Sequence, residues 1–156
     1  MKPWAWMVAL ALFGASTLNA AAQDFKPANG NEYVPRLGDI MNTAQARHQK
    51  LWFAGKAQNW PLANFELGQI KASLTEAAVL YSDLPVNNVA TLEGPLQSVS
   101  DAINDKDGRK FAKAVGDLTD GCNACHQSVG RGFIVIRIPA DQQLFSNQLF
   151  TPQNKR

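Results

Sequence analysis

Cysteine and histidine are scarce in this chain, with two of each among 156 residues. Metal or redox chemistry therefore has very few positions at which to occur. An excess of one charge is also lacking, because 15 Lys and Arg face 13 Asp and Glu, for a formal net charge of +2. A nucleic-acid surface normally needs a clustered basic excess, so this balance argues against DNA and RNA as partners. The length suits one domain and excludes a large multidomain enzyme.

The amino-terminal segment has the pattern of a secretory signal peptide. Lys2 precedes an apolar run from Ala5 to Leu18, and small residues follow at 20–22. We therefore expect residues 1–22 to be a cleaved signal and the mature protein to be exported to the periplasm. The alternative is an uncleaved membrane anchor, because the apolar run is nearly long enough to cross a bilayer. The exported compartment is oxidising, and two cysteines there would ordinarily form a disulfide.

The two cysteines instead stand in a CNACH run at positions 122–126, which is the CxxCH attachment signature of a c-type haem. Thiols at Cys122 and Cys125 would lie on nearly one face of a helix, so both can form thioethers with the vinyl groups of one porphyrin. His126 can then ligate the iron as the proximal ligand. A thioredoxin-like dithiol is the alternative, but no strand pattern precedes the motif. A structural zinc site needs four ligands, and only His48 remains outside the motif.

Apolar residues recur at intervals of three and four and predict four amphipathic helices. Residues 23–34 are interpreted as a flexible leader, and the expected helices cover 35–59, 61–82 and 89–104, followed by a fourth that Asp107 caps and Gly130 ends. The residues expected on the buried stripes are Leu37, Ile40, Met41, Ala44, His48, Leu51 and Trp52; Leu62, Phe65, Ile70, Leu74, Ala77, Ala78 and Tyr81; Leu92, Leu96, Val99 and Ile103; and Phe111, Val115 and Leu118.

Short links between amphipathic helices favour an all-α fold, an antiparallel four-helix bundle over residues 35–130. On the fourth helix the stripe continues through both cysteines, which predicts buried thiols. In such a bundle the end of the last helix lies beside the start of the first, opposite Met41 and His48. These two residues are seven positions apart on one helical face, with the small Ala44 between them, where a flat porphyrin could approach.

The distal ligand of the iron is left open by the residues alone. Met41 is the preferred ligand, although a methionine in an apolar stripe is otherwise core filling. His48 is the alternative, and it could instead be a hydrogen-bonding group at the haem edge. Iron with no distal protein ligand is the third case. The choice matters because a thioether raises the reduction potential relative to a second histidine, whereas an open position permits ligand binding.

With its CxxCH motif late in the fourth helix, the chain resembles the class II c-type cytochromes, the cytochrome c′ family, over residues 35–131. The blocks at 48–55, 59–63 and 145–148 are also similar to a group of small exported haem proteins. The chain departs from the family after the motif, where Val129-Gly130 stands in place of the usual aromatic-Arg pair.

The resemblance implies one covalent haem c, with thioether links at Cys122 and Cys125 and iron ligated by His126. It further implies one of two distal arrangements: open five-coordinate iron that binds small gases, or six-coordinate iron with a methionine from the first helix. It also implies a homodimer that pairs through the first two helices.

After Gly130 the chain changes character. Residues 133–139 are mostly β-branched and apolar and would be an aggregation hazard if they were exposed, so we expect them to be buried. The predicted tail, residues 131–156, is extended and packs on the bundle, with Phe145 and Phe150 as anchors. It either covers the haem or straps the helices without affecting the iron.

These features predict a periplasmic single-haem electron-transfer protein that exchanges electrons with a partner protein at an exposed haem edge. A five-coordinate protein that binds a diatomic gas is the alternative. An enzyme is not expected, because no distal acid and base are arranged beyond His48.

Overall fold

The helices form close to where apolar periodicity and capping residues predict them. The computed structural model describes residues 33–81, 84, 89–140 and 148–149, and all of these except Tyr33 belong to one compact unit. The elements of the described residues are α1 (Leu37–Lys56), α2 (Trp60–Leu80), α3 (Glu93–Asn104), α4 (Gly108–Ser128), β1 (Val135–Ile136) and β2 (Gln148–Leu149). The predicted signal peptide, most of the leader, Phe145 and Phe150 lie outside the described residues.

The ends of α4 are those that the sequence predicts. The Asp107 carboxylate accepts hydrogen bonds from the backbone N–H groups of Arg109 and Lys110 at 2.9 and 3.0 Å, which confirms the predicted cap. Beyond the helix, Gly130 adopts a φ of +71°, a left-handed conformation that glycine takes at little cost. The motif therefore occupies the last two turns of a well-defined helix.

The other helix bounds differ from the expected ones by a few residues. The helix α1 begins at Leu37 instead of residue 35 and ends at Lys56, just before Gln58 with its positive φ of 57°. The helix α3 begins at Glu93 instead of residue 89, although residues 89–90 are helical. Pro95 explains this difference, because proline is tolerated in the first turn of a helix but clashes with the preceding turn in its interior.

The helices contact one another in a closed ring, in which α1 packs on α2 and α4 while α3 packs on α2 and α4. This set of neighbours is compatible with a four-helix bundle. Its core is a cluster of apolar side chains from all four helices, of which the largest fully buried members are Phe111, Leu51, Leu67, Leu92, Leu118, Val99 and Val115.

The helices α1 and α4 approach each other closely at Gly55. A Cβ atom at this position would overlap the ring of Phe111, so a larger residue would force the two helices apart. The Phe111 ring also meets Trp60 edge to face, with ring centroids 5.8 Å apart. The amino-terminal half of α4 is thereby packed against α1 and the start of α2.

The expected stripe on α2 is wrong at its first two positions. Leu62 and Phe65 are 41% and 52% exposed, whereas Glu66 is buried and paired with Arg47 at 3.2 Å. Apolar residues occur on several sides of this helix, so their spacing alone does not define one buried face. The Arg47 guanidinium lies 5.8 Å from the centre of the Phe65 ring and covers part of it.

The expected burial of the tail is also wrong at Phe133, which is 74% exposed. Ile136 is buried and Ile138 packs against the core, while β1 pairs antiparallel with β2. The apolar run is thus divided, because a short extended segment presents alternate residues to opposite sides.

None of the helices in the described part of the chain combines the length and apolar character that a bilayer crossing requires.

Candidate haem site

A cavity of about 330 Å³ lies among α1, α2, α4 and the segment that follows α4. Its walls are mostly apolar and include Leu37, Ile70, Leu74, Leu92 and Leu118. An apolar cavity of this size with a few polar groups has the character of a small-molecule or cofactor site.

Both motif cysteines line this cavity from the last turns of α4, and both are free thiols. Burial raises the pKa of Cys122 to about 11 and also raises the pKa of Cys125. Reactive dithiols have lowered pKa values and stand at helix amino termini, whereas these thiols are protonated and lie at a carboxyl terminus. The environment of these thiols is therefore unlike that of a thioredoxin-type nucleophile.

His126 lines the same cavity and has a defined tautomer. Its Nδ1 lies 2.8 Å from the backbone oxygen of Ile134. A carbonyl oxygen can only accept, so the hydrogen of the neutral ring is on Nδ1. The other nitrogen, Nε2, then carries a lone pair. This is the state in which a histidine ligates a metal, with its second nitrogen held by an outer hydrogen bond.

The structure brings the two candidate distal residues to the cavity of the motif. Met41 and His48 both line it, together with the small Ala44 between them. Met41 is half-buried, and His48 is only 4% exposed. The pairing of this face of α1 with the end of α4 is thus as the sequence predicts. Which side chain faces iron stays a prediction.

His48 already uses its Nε2 atom. This atom lies 2.8 Å from the Thr119 hydroxyl, and that hydroxyl donates its single hydrogen to the Val115 carbonyl at 2.7 Å. Thr119 therefore accepts from His48, and Nε2 carries the hydrogen. Burial lowers the pKa of His48 to about 4, so the ring is neutral near pH 7. Ligation through Nε2 would require this buried bond to break.

Three contributions to the site were missed from the sequence. Thr119 engages His48, the Ile134 carbonyl holds His126, and the exposed Arg131 lines the cavity. A backbone carbonyl has no sequence signature, and Thr119 looks like an ordinary core neighbour. Arg131 could have been noted, because it is a cationic residue that follows the CxxCH run by five positions and could pair with an anionic group.

Among residues 33–81, 84, 89–140 and 148–149, no three His, Cys, Asp or Glu side chains cluster so as to hold a metal ion. No family model, curated protein or solved structure matches the chain.

Proposed function

We propose that the protein is an exported c-type cytochrome, whose cavity holds one haem bound covalently at Cys122 and Cys125. The observation that carries the proposal is the convergence of two thiols and a ligation-ready imidazole on one apolar cavity. The spacing of the cysteines in the sequence gives only the attachment motif. The cavity beside them adds support, because it is a space in which the porphyrin ring could lie. The donor set also fits, because His126 presents a lone pair at Nε2 while Nδ1 is held.

The two thiols would attach the cofactor by simple addition. The sulfur of each cysteine would bond to one carbon of a vinyl group and its hydrogen would go to the other carbon, so attachment would require no oxidant. The last turns of α4 place both cysteines at the cavity. The haem would supply reversible one-electron exchange between ferrous and ferric iron.

The remaining residues of the site would bind the haem and adjust its properties. Apolar walls keep water away from the ring, and the exposed Arg131 offers a guanidinium to a propionate. We favour Met41 as the distal ligand because the Nε2 atom of His48 is committed to Thr119. With both positions filled by protein, the proposed activity is electron transfer with a partner protein in the periplasm. If Met41 does not ligate, an apolar open position favours binding of a diatomic gas.

The test uses the full chain produced in a host that attaches haem, and records visible spectra of the oxidised and reduced protein with and without carbon monoxide. We expect a c-type spectrum, haem that resists extraction by acidified organic solvent, and low-spin iron that binds carbon monoxide poorly. Absence of covalent haem would overturn the proposal. A high-spin parent that binds carbon monoxide readily would replace electron transfer with the gas-binding function.

Two matched variants assign the distal ligand. Met41→Ala is expected to become high-spin and to bind carbon monoxide. His48→Gln is expected to stay low-spin, because a glutamine amide can still donate to Thr119 and the iron does not use the ring. The reverse pair of results would assign His48 as the ligand.

A further inference from the structure

Asn123 occupies the first variable position of the motif. Its side-chain amide forms two hydrogen bonds with the backbone of the segment that follows α4. Its Oδ1 accepts from the Ile136 N–H and its Nδ2 donates to the Ile136 carbonyl, each at 2.8 Å. This paired contact resembles the exchange of hydrogen bonds between two neighbouring strands. The same short strand, β1, also pairs with β2, where Val135 is in register with Leu149.

The Asn123 contact lies two residues from the carbonyl that His126 uses. At the start of the segment 131–136, the Arg131 N–H donates a hydrogen bond to the His126 carbonyl at 2.7 Å. The segment then forms a turn, in which the Ile134 N–H donates to the Arg131 carbonyl at 2.8 Å. Asn123 then ties its far end back to α4. The Ile134 carbonyl is therefore held between two attachments to the helix that carries His126.

We propose that Asn123 is a positioning residue for His126. By holding Ile136, it keeps the Ile134 carbonyl on the Nδ1–H group, which selects the Nδ1–H tautomer and turns Nε2 toward a ligand. Asn123 acts only through the backbone of 134–136. The effect on iron rests on the proposed haem function, whereas the tautomer is a property of the chain itself.

The chemical consequence follows from the hydrogen bond. A carbonyl that accepts from Nδ1–H increases the electron density of the ring, so Nε2 becomes a better donor to the metal. Loss of the bond should weaken the Fe–His bond and shift its stretching band to lower frequency. It should also raise the reduction potential, because a poorer donor stabilises ferric iron less.

The first experiment uses the full chain without haem and reads the His126 ring by ¹⁵N NMR. The parent should show Nδ1–H, whereas Asn123→Ala should lose this signal and gain Nε2–H, the tautomer that unrestrained histidine favours in water. Ile138→Ala is the matched control, because it loosens the same segment beyond the Asn123 contact and should keep the Nδ1–H signal. A parent-like spectrum for Asn123→Ala, or an equal change in Ile138→Ala, would overturn the proposal.

The second experiment uses the haem-loaded chain. The Fe–His stretching band is measured in the ferrous Met41→Ala background, whose distal position is open, with and without Asn123→Ala. A downward shift with Asn123→Ala and none with Ile138→Ala supports the positioning role. An unshifted band contradicts it. If haem never attaches, the proposed function fails, but the ¹⁵N experiment still decides the role of Asn123.

Asn123→Asp guards against a variant that does not fold. Its carboxylate can still accept from the Ile136 N–H but repels the Ile136 carbonyl, so both readouts should change in the same direction. If Asn123→Ala fails to fold, parent-like signals in Asn123→Asp overturn the proposal. Far-ultraviolet circular dichroism verifies that each variant keeps its helices.

Discussion

The two halves of α4 carry the same apolar spacing but have different surroundings. In residues 108–119, Phe111, Val115 and Leu118 are fully buried in the core. In residues 120–128, the cysteines and the motif histidine continue the same face but are only half-buried beside the cavity. The boundary between the halves is marked by Thr119, which accepts the hydrogen bond from His48.

An amphipathic pattern therefore identifies the apolar face of a helix, but it does not identify what covers that face. The first half of α4 is covered by side chains of the other three helices, with which it forms the core. The second half borders about 330 Å³ that protein atoms do not fill. Substitutions in the two halves should therefore affect different properties, stability in the first and cofactor retention in the second.

The largest expected effect is a complete loss of covalent haem in the double variant Cys122→Ser/Cys125→Ser. The variant removes both sulfurs of the proposed thioether links and leaves the fully buried residues of the core in place. The measurement is haem remaining with the protein after extraction by acidified solvent, alongside circular dichroism. Ala124→Ser, at an exposed position inside the motif, should retain haem as the parent does. Haem that survives extraction in the double variant would contradict the assigned attachment.

The second prediction concerns the packed half of α4. Phe111→Ala should lower the free energy of unfolding by about 3–5 kcal/mol, because it empties a fully buried ring site between α1 and α4. Denaturant unfolding of the haem-free chain measures this. Phe133→Ala, which truncates a 74% exposed ring, should change it by less than about 0.5 kcal/mol. Equal losses in the two variants would show that Phe111 is not a core residue.

Much of the architecture could be predicted from local rules. The cap at Asp107, the stop at Gly130 and the stripe on α4 depend on neighbours in sequence, and the structure confirms all three. Leu62 and Phe65 were misassigned because α2 has apolar residues on several sides, and the structure instead buries Glu66, which pairs with the part-buried Arg47. That pair forms only when two helices meet, so spacing along one helix cannot show it.

The candidate site divides in the same way. The motif and its neighbours Met41 and His48 could be placed together because bundle topology brings the helix ends side by side. The hydrogen bonds that set the two histidine tautomers could not be predicted, since one is made to a backbone carbonyl of the tail and the other to Thr119. The tautomer of each histidine depends on a contact that the spacing of residues along one helix does not show.

The third prediction concerns His48, which is hydrogen-bonded to the boundary residue Thr119. Its pKa is about 4 in the folded chain against 6.5 for an unperturbed histidine, so the unfolded state binds the proton more readily. Stability should therefore fall as pH drops from about 6.5 towards 4, by at most roughly 3 kcal/mol. His48→Gln should lack this pH-dependent contribution to stability. The difference in free energy of unfolding between the parent and His48→Gln should therefore become smaller as the pH falls. Parallel curves between pH 7 and 4 would contradict a buried neutral His48.

Apart from the surface control Phe133→Ala, the smallest effect is expected for Met41→Ala in the haem-free chain, at less than about 1 kcal/mol of unfolding free energy. Met41 is half-buried and borders the cavity, so its truncation enlarges a space that already exists and breaks few contacts. The contrast with Phe111→Ala compares a residue that borders the cavity with one in the packed core. In the haem-loaded chain the same variant should cost more if Met41 is the distal ligand as proposed, because it would then remove a bond to iron as well as packing. An equal cost with and without haem would mean that Met41 is only a wall of the cavity.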